Sequence, residues 1–121
     1  MKVAVASQGP DLNSQVAPRF GRARCFLIVD TTSGAFTVRD NSGHPGTAHT
    51  AGMQAAGAII SLGVGAVITG SIGPKAFATF QAGNVEVHTV SSSGTVENAI
   101  EKLKASQLRP AQKANMQEHW M

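Results

Sequence analysis

The sequence predicts a single α/β domain: a mixed five-stranded sheet, three parallel strands plus a hairpin, with helices packed on it. Three observations lead there. Short apolar runs of strand length alternate with small-residue stretches of helical character, in the order strand, hairpin, helix, strand, helix, strand, helix. Strands separated by helices pair in parallel through right-handed crossovers, which makes strands one, four and five parallel and sets the hairpin beside strand one. The 121 residues, 42% of them hydrophobic, are one domain's worth and enough to bury a core.

The elements follow in order. Residues 2–6 (KVAVA) read as a strand, and 7–18 as a polar loop with Gly9, Pro10 and Pro18. Residues 24–30 and 35–40 read as two strands joined by a Thr-Ser-Gly turn. A loop at 41–47 holds Gly43, His44, Pro45 and Gly46, and a small-residue helix from about 48 to 62 is stopped by Gly63. After the strand 66–69 (AVIT), Pro74 suits the first position of a helix that runs through Phe77 and Phe80 to Gly83. Residues 85–90 form the last strand. Ser91 to Thr95 caps a helix whose Val96, Ile100 and Leu103 share one face. The domain is expected to end near residue 105, and the polar tail 106–121 to be mobile or to dock elsewhere.

Composition narrows the function classes. Ten Lys/Arg against seven Asp/Glu give a formal charge of +3 and a pI near 9.5. That favours anionic partners, but without a basic helix or an aromatic platform it does not indicate nucleic acid. No apolar stretch approaches the length of a membrane span, and Met1-Lys2-Val3 leads straight into a strand, so the expectation is a cytoplasmic protein with no membrane partner. The one cysteine excludes an internal disulfide and any CxxC metal site. Neither a strand-end carboxylate cluster nor a Ser/His/Asp spacing is readable, so binding is expected rather than catalysis.

The topology brings the chemistry-bearing residues together. With strand two antiparallel to strand one, the loops at 7–23, 41–47, 70–75 and 91–95 converge on one rim, the usual ligand edge of an open α/β sheet. Arg19, Arg22, Arg24 and Lys75 fall on or near it, with His44 and His49 close by and few acids besides Asp11 and Asp40. Arginine presents a planar, weakly hydrated fork of donors suited to oxyanions or sulfide-rich anions; solvated surface arginines, or one paired with Asp11 or Asp40, are the plain alternative. Gly70-Ser71-Ile72-Gly73-Pro74-Lys75 sets backbone N–H groups at a helix start, an anion-binding arrangement or an ordinary strand-to-helix turn; it matches neither GxxxxGK(S/T) nor GxGxxG. Cys25, at the start of a buried strand, reads first as a small core hydrophobe, although its soft sulfur could reach copper(I), as could Met53 or Met121. His44 and His49 have weak metal spacing, His88 reads as structural, and His119 is unassigned.

MKVAVAS, VAPRFGRARCFLIVD, the histidine-bearing loop, LGVGAVITGSIGPKAF and GTVENAIEKL together resemble the dinitrogenase iron–molybdenum cofactor biosynthesis family over roughly residues 1–104. The resemblance implies a ribonuclease H-like three-layer fold and binding, carriage or assembly of a molybdenum-containing sulfide cluster. It is strongest to a branch whose cargo is a mixed molybdenum–copper sulfide anion held non-covalently. Carried over by position are Arg19, Phe20, Gly21 and Arg22, then Gly70, Gly73, Pro74 and Lys75; the His44 and His49 region corresponds to a variable loop. A nucleotide-dependent carrier ATPase is the protein partner the resemblance suggests. Taken together, the sequence reads as a non-enzymatic carrier of a molybdenum–copper sulfide cluster. The competing readings are a nucleotide or phosphorylated-metabolite site at the same rim, and a protein-interaction module.

Overall fold

The computed structural model describes residues 1–41, 48–90, 94–108 and 110–111. Its strands are β1 (Lys2–Ser7), β2 (Cys25–Asp30), β3 (Phe36–Asp40), β4 (Ala66–Thr69) and β5 (Glu86–Thr89), and its helices are α1 (Ala48–Ile60), α2 (Pro74–Ala82) and α3 (Val96–Lys104). They form one sheet in the order β3-β2-β1-β4-β5. β1 pairs antiparallel with β2 and parallel with β4, β2 antiparallel with β3, and β4 parallel with β5. Only β2 therefore runs against the rest, which is the ribonuclease H-like arrangement.

Burial explains why each run became its strand. β1 lies at the centre, and Val3 to Ser7 are buried, so both faces of the strand must be apolar or small. β3 is an edge, every residue of it is exposed, and its sequence FTVRD tolerates water on both sides.

The sheet is covered on both faces. On one, Ala4, Ala6, Phe26, Val67 and Val87 pack against Ala55, Ala56 and Ile59 of α1 and Ala76, Phe77 and Phe80 of α2. On the other, Val3, Val5, Leu27, Val29 and Ile68 meet Val96, Ala99 and Ile100 of α3. The crossovers from β3 through α1 to β4, and from β4 through α2 to β5, advance in the same direction across the sheet, so right-handedness puts both helices on one face. The three-layer expectation holds.

Differences from the sequence reading are small and local. Regular helix in α1 ends at Ile60, and Leu62 and Gly63 close the turn by donating to the Ile59 and Ile60 carbonyls. The tail from 106 is in part docked: Leu108 packs on the α3-side core, Ala111 on the other, and the Ala111 N–H donates to the Val87 carbonyl at 2.6 Å. Leu108 and Ala111 thus sit on opposite faces of the sheet. Among the described residues no helix is long and apolar enough to cross a membrane.

Candidate functional site

The register confirms the convergence of strand ends. Ser7, Cys25 and Asp40 stand side by side across β1, β2 and β3, and Thr69 and Thr89 end β4 and β5 on the same edge. The loop leaving β1 runs out along this rim and returns: the Gln8 N–H donates to the Gln15 carbonyl and the Ala17 N–H to the Ala6 carbonyl. Its far side is tied to the start of α3, where Val96 and Glu97 donate to the carbonyls of Ser14 and Leu12. Thr95 caps that helix: its hydroxyl accepts from the Asn98 N–H at 3.1 Å, and its own N–H donates back to the Asn98 side chain. Capping is therefore what Thr95 does.

The RFGR segment is a single 3-10 turn, Phe20–Arg22, and its four residues divide by role. Phe20 is the anchor. It is fully buried, with its ring 5.1 Å from Phe26 and edge-on to Phe80 at 5.3 Å. Gly21 lets the turn lie against α1, because a Cβ there would stand 3.2 Å from the Gly52 Cα. The two ends of the turn hold Arg19 and Arg22 out into solvent, and Arg24 is exposed just beyond. Among the described residues none of these guanidiniums makes an ion pair. Phe20 thus serves the motif as a core anchor, and Gly21 has only its backbone to offer.

The second predicted segment is pressed against the first. A Cβ on Gly70 would lie 2.8 Å from the Ala17 oxygen and from both Cα and oxygen of Pro18, so only glycine fits. The Gly70 N–H donates to the Ala17 carbonyl at 3.0 Å, the Ser71 hydroxyl to the Pro18 carbonyl at 2.7 Å, and the Phe20 N–H to the Ser71 carbonyl at 2.9 Å. This corrects the expectation that the Gly70–Gly73 amides jointly face an anion, because the Gly70 amide is engaged inside the fold. Ile72 is likewise buried in the core beside α1 and α2. Lys75, exposed at the start of α2, follows Gly73 as N-cap and Pro74 at the first helical position.

Between the β1 loop and the β2–β3 ends lies a cleft of about 450 Å³. Arg22, Arg24 and Asp40 give it charge, Pro10 and Val38 give it apolar walls, and Cys25 lies within it. The Cys25 thiol donates to the Gly9 carbonyl at 3.2 Å. Burial pushes its pKa up, the Asp40 carboxylate adds to that, and Arg24 and the Ser7 hydroxyl partly oppose it. The thiol is therefore protonated at neutral pH.

Asn41 is a residue the sequence reading missed. It is buried and holds the arginine segment from the β3 side, its side-chain amide donating to the Ala23 carbonyl at 2.8 Å and its N–H to the Arg24 carbonyl at 3.2 Å. Its sequence signal, a polar residue after a strand, reads only as a turn. His88 matches its structural reading, being buried with Nε2 3.3 Å from Glu86 Oε1.

The structure brings Arg22, Arg24 and Cys25 to one cleft. Arg19, Ser71 and Lys75 belong to the neighbouring part of the rim, and Met53 is exposed on α1. His44 lies outside the described residues; His49 falls in the first turn of α1 with its side chain outside them. Among the described residues no three of His, Cys, Asp and Glu group to hold a metal ion. What the rim offers is positive charge and donors.

The chain is 36% identical to the orange protein of Desulfovibrio gigas, solved in its apo form; the two superpose with a TM-score of 0.90 over 95% of this chain and 96% of that one. A proposed NifB protein from Thermotoga, of the DUF35 family, is 34% identical, with a TM-score of 0.75 over 90% and 91% of the two chains. An uncharacterized protein of Methanocaldococcus jannaschii is 31% identical over 100 residues, 80% of each chain. Residues 1–106 match the family described as dinitrogenase iron-molybdenum cofactor, and the chain belongs to that family.

Proposed function

We propose that this protein binds an anionic molybdenum–copper sulfide cluster as cargo and holds it without covalent bonds at the arginine rim, for storage, delivery or assembly. One observation carries the reading: Arg22 and Arg24 flank a 450 Å³ cleft on a backbone fixed by Phe20 and Asn41, beside the single, protonated thiol of the chain. Family membership and the likeness to the orange protein support cluster-related binding in general. The donor set suits a preassembled anion better than bare metal ions, since charge and hydrogen-bond donors are concentrated where coordinating side chains are few.

The chemistry asked of the protein is modest. A charge pair 4 Å apart is worth ~1 kcal/mol in water and ~4 kcal/mol at an effective dielectric near 20, so partial shelter in the cleft decides the affinity. The apolar walls at Pro10 and Val38 supply that shelter, while Arg19 and Lys75 extend the positive field along the rim. A carrier-type ATPase is the protein partner proposed for loading or unloading.

The test is to incubate metal-free protein with tetrathiomolybdate and copper(I), desalt it, and measure visible absorption together with molybdenum and copper content. Both metals and the colour should co-elute with the protein, and Arg22→Ala/Arg24→Ala should lose most of each. Full retention by that variant would refute the site. Stabilisation by nucleotides but not by thiomolybdate would transfer the rim to the phosphate-binding reading.

A further inference from the structure

The two outer edges of the sheet are unequal. At β5 the chain meets its own edge at one point, where the Ala111 N–H donates to the Val87 carbonyl. At β3 nothing described does so, and all five residues are exposed.

The ladder phase shows which groups β3 presents. Asp30 donates to the Ala35 carbonyl and Asn41 to the Arg24 carbonyl, so the odd-numbered residues of β3 turn their backbone groups toward β2. Phe36 and Val38 therefore turn theirs outward. Their side chains stand on the α3 side, opposite Val29 and Leu27, and are large apolar groups at 36% and 47% exposure. Thr37 and Arg39 stand on the other side, opposite Ile28 and Phe26.

We infer that β3 is a docking edge for an extended segment of another protein in which apolar and acidic residues alternate. An added strand takes up the outward N–H and C=O groups of Phe36 and Val38. Its successive side chains fall on opposite faces, so one set lies against Phe36 and Val38 and the other against Thr37 and Arg39. The first set gains by being apolar and the second by being acidic. Asp40, the last residue of β3, falls in the set with Phe36 and Val38 and stands beside Arg22 and Arg24 in the cleft, so Arg39 carries the charge preference. Val38 also walls the cleft, which would put a docked strand next to the cargo, although the inference holds whatever the cleft contains.

The probe is a short synthetic peptide alternating valine and glutamate, titrated at low ionic strength into the metal-free full chain and followed by amide NMR. Shifts should concentrate at residues 36–40, with slowed exchange of the Val38 amide. Val38→Pro removes an outward N–H while leaving the β2 ladder intact, a replacement edge strands tolerate. It should weaken binding at least about tenfold. Arg39→Glu, which leaves the backbone alone, should weaken the same peptide and strengthen one carrying lysine for glutamate. Absence of β3 shifts at millimolar peptide, or equal binding by both variants, overturns the inference. So does a concentration-dependent dimer joined at Val38, which would seat a second copy where the acidic strand is proposed.

Discussion

The backbone N–H of Phe20 donates to the carbonyl of Ser71 at 2.9 Å, while the Ser71 hydroxyl reaches back to Pro18 at 2.7 Å. Two segments fifty residues apart are thereby sewn together at the sheet rim. The arginine turn is not a free loop that a ligand must order; its path is fixed by backbone bonds to the turn after β4.

Gly70→Ala tests that seam. The new Cβ would press on three backbone atoms at 2.8 Å, none of which can swing away. A loss of about 1–3 kcal/mol is expected, as for overpacking in a tight interior. Chemical denaturation measures it. Ser71→Ala, which removes one hydrogen bond and adds no bulk, should cost only about 1 kcal/mol.

Phe20→Ala should cost about 3–5 kcal/mol, the usual range for deleting a buried phenyl group. The loss combines a cavity among Phe26, Phe80 and the α1–α2 core with release of the turn. Thermal melting would register the first effect. Weakened anion binding in the still-folded fraction would register the second, and Phe20→Leu should recover much of both.

Cys25 gives a prediction in pH. Alkylation rate follows the thiolate, and a raised folded pKa means less thiolate at any pH below it. The rate profile with iodoacetamide should therefore lie to the alkaline side of free cysteine. Asp40→Asn removes a charge that raises the pKa and should shift the profile back toward neutral. Arg24→Ala removes one that lowers it and should shift the profile further alkaline.

Cargo binding should also be salt-dependent. The Debye length falls from about 10 Å at 0.1 M to about 3 Å at 1 M, which screens exposed guanidiniums such as Arg19, Arg22 and Arg24 strongly. Losing Arg22 or Arg24 from the cleft should cost about tenfold each, equivalent to ~1.4 kcal/mol. Arg19→Ala should cost less and mainly at low salt. Binding titrations of the three single variants at two ionic strengths separate these cases.

Much of this architecture was legible in the sequence because strand and helix signals were punctuated by Gly, Pro and caps. Pro74 and Thr95 stand where helix starts require them, and the crossover rule then set strands and rim. The arginines at the rim followed from topology alone. What escaped was whatever depends on distance between remote segments. Phe20 looked like part of a binding motif, and only its contacts with Phe26 and Phe80 show it to be an anchor. Gly70 looked like an anion-binding amide, but its neighbour is Ala17, a residue no local pattern could have supplied. Asn41 was invisible for the same reason: its value lies in two carbonyls, of Ala23 and Arg24, just before the adjacent strand.

The bond from Ala111 to β5 bears on how the molecule can grow. A sheet with two open margins can recruit strand after strand and lengthen into a fibre. Here one margin already receives a bond from the protein's own chain, Ala111 to Val87, which disfavours addition there. Strand addition through this sheet is thereby biased toward the β3 margin.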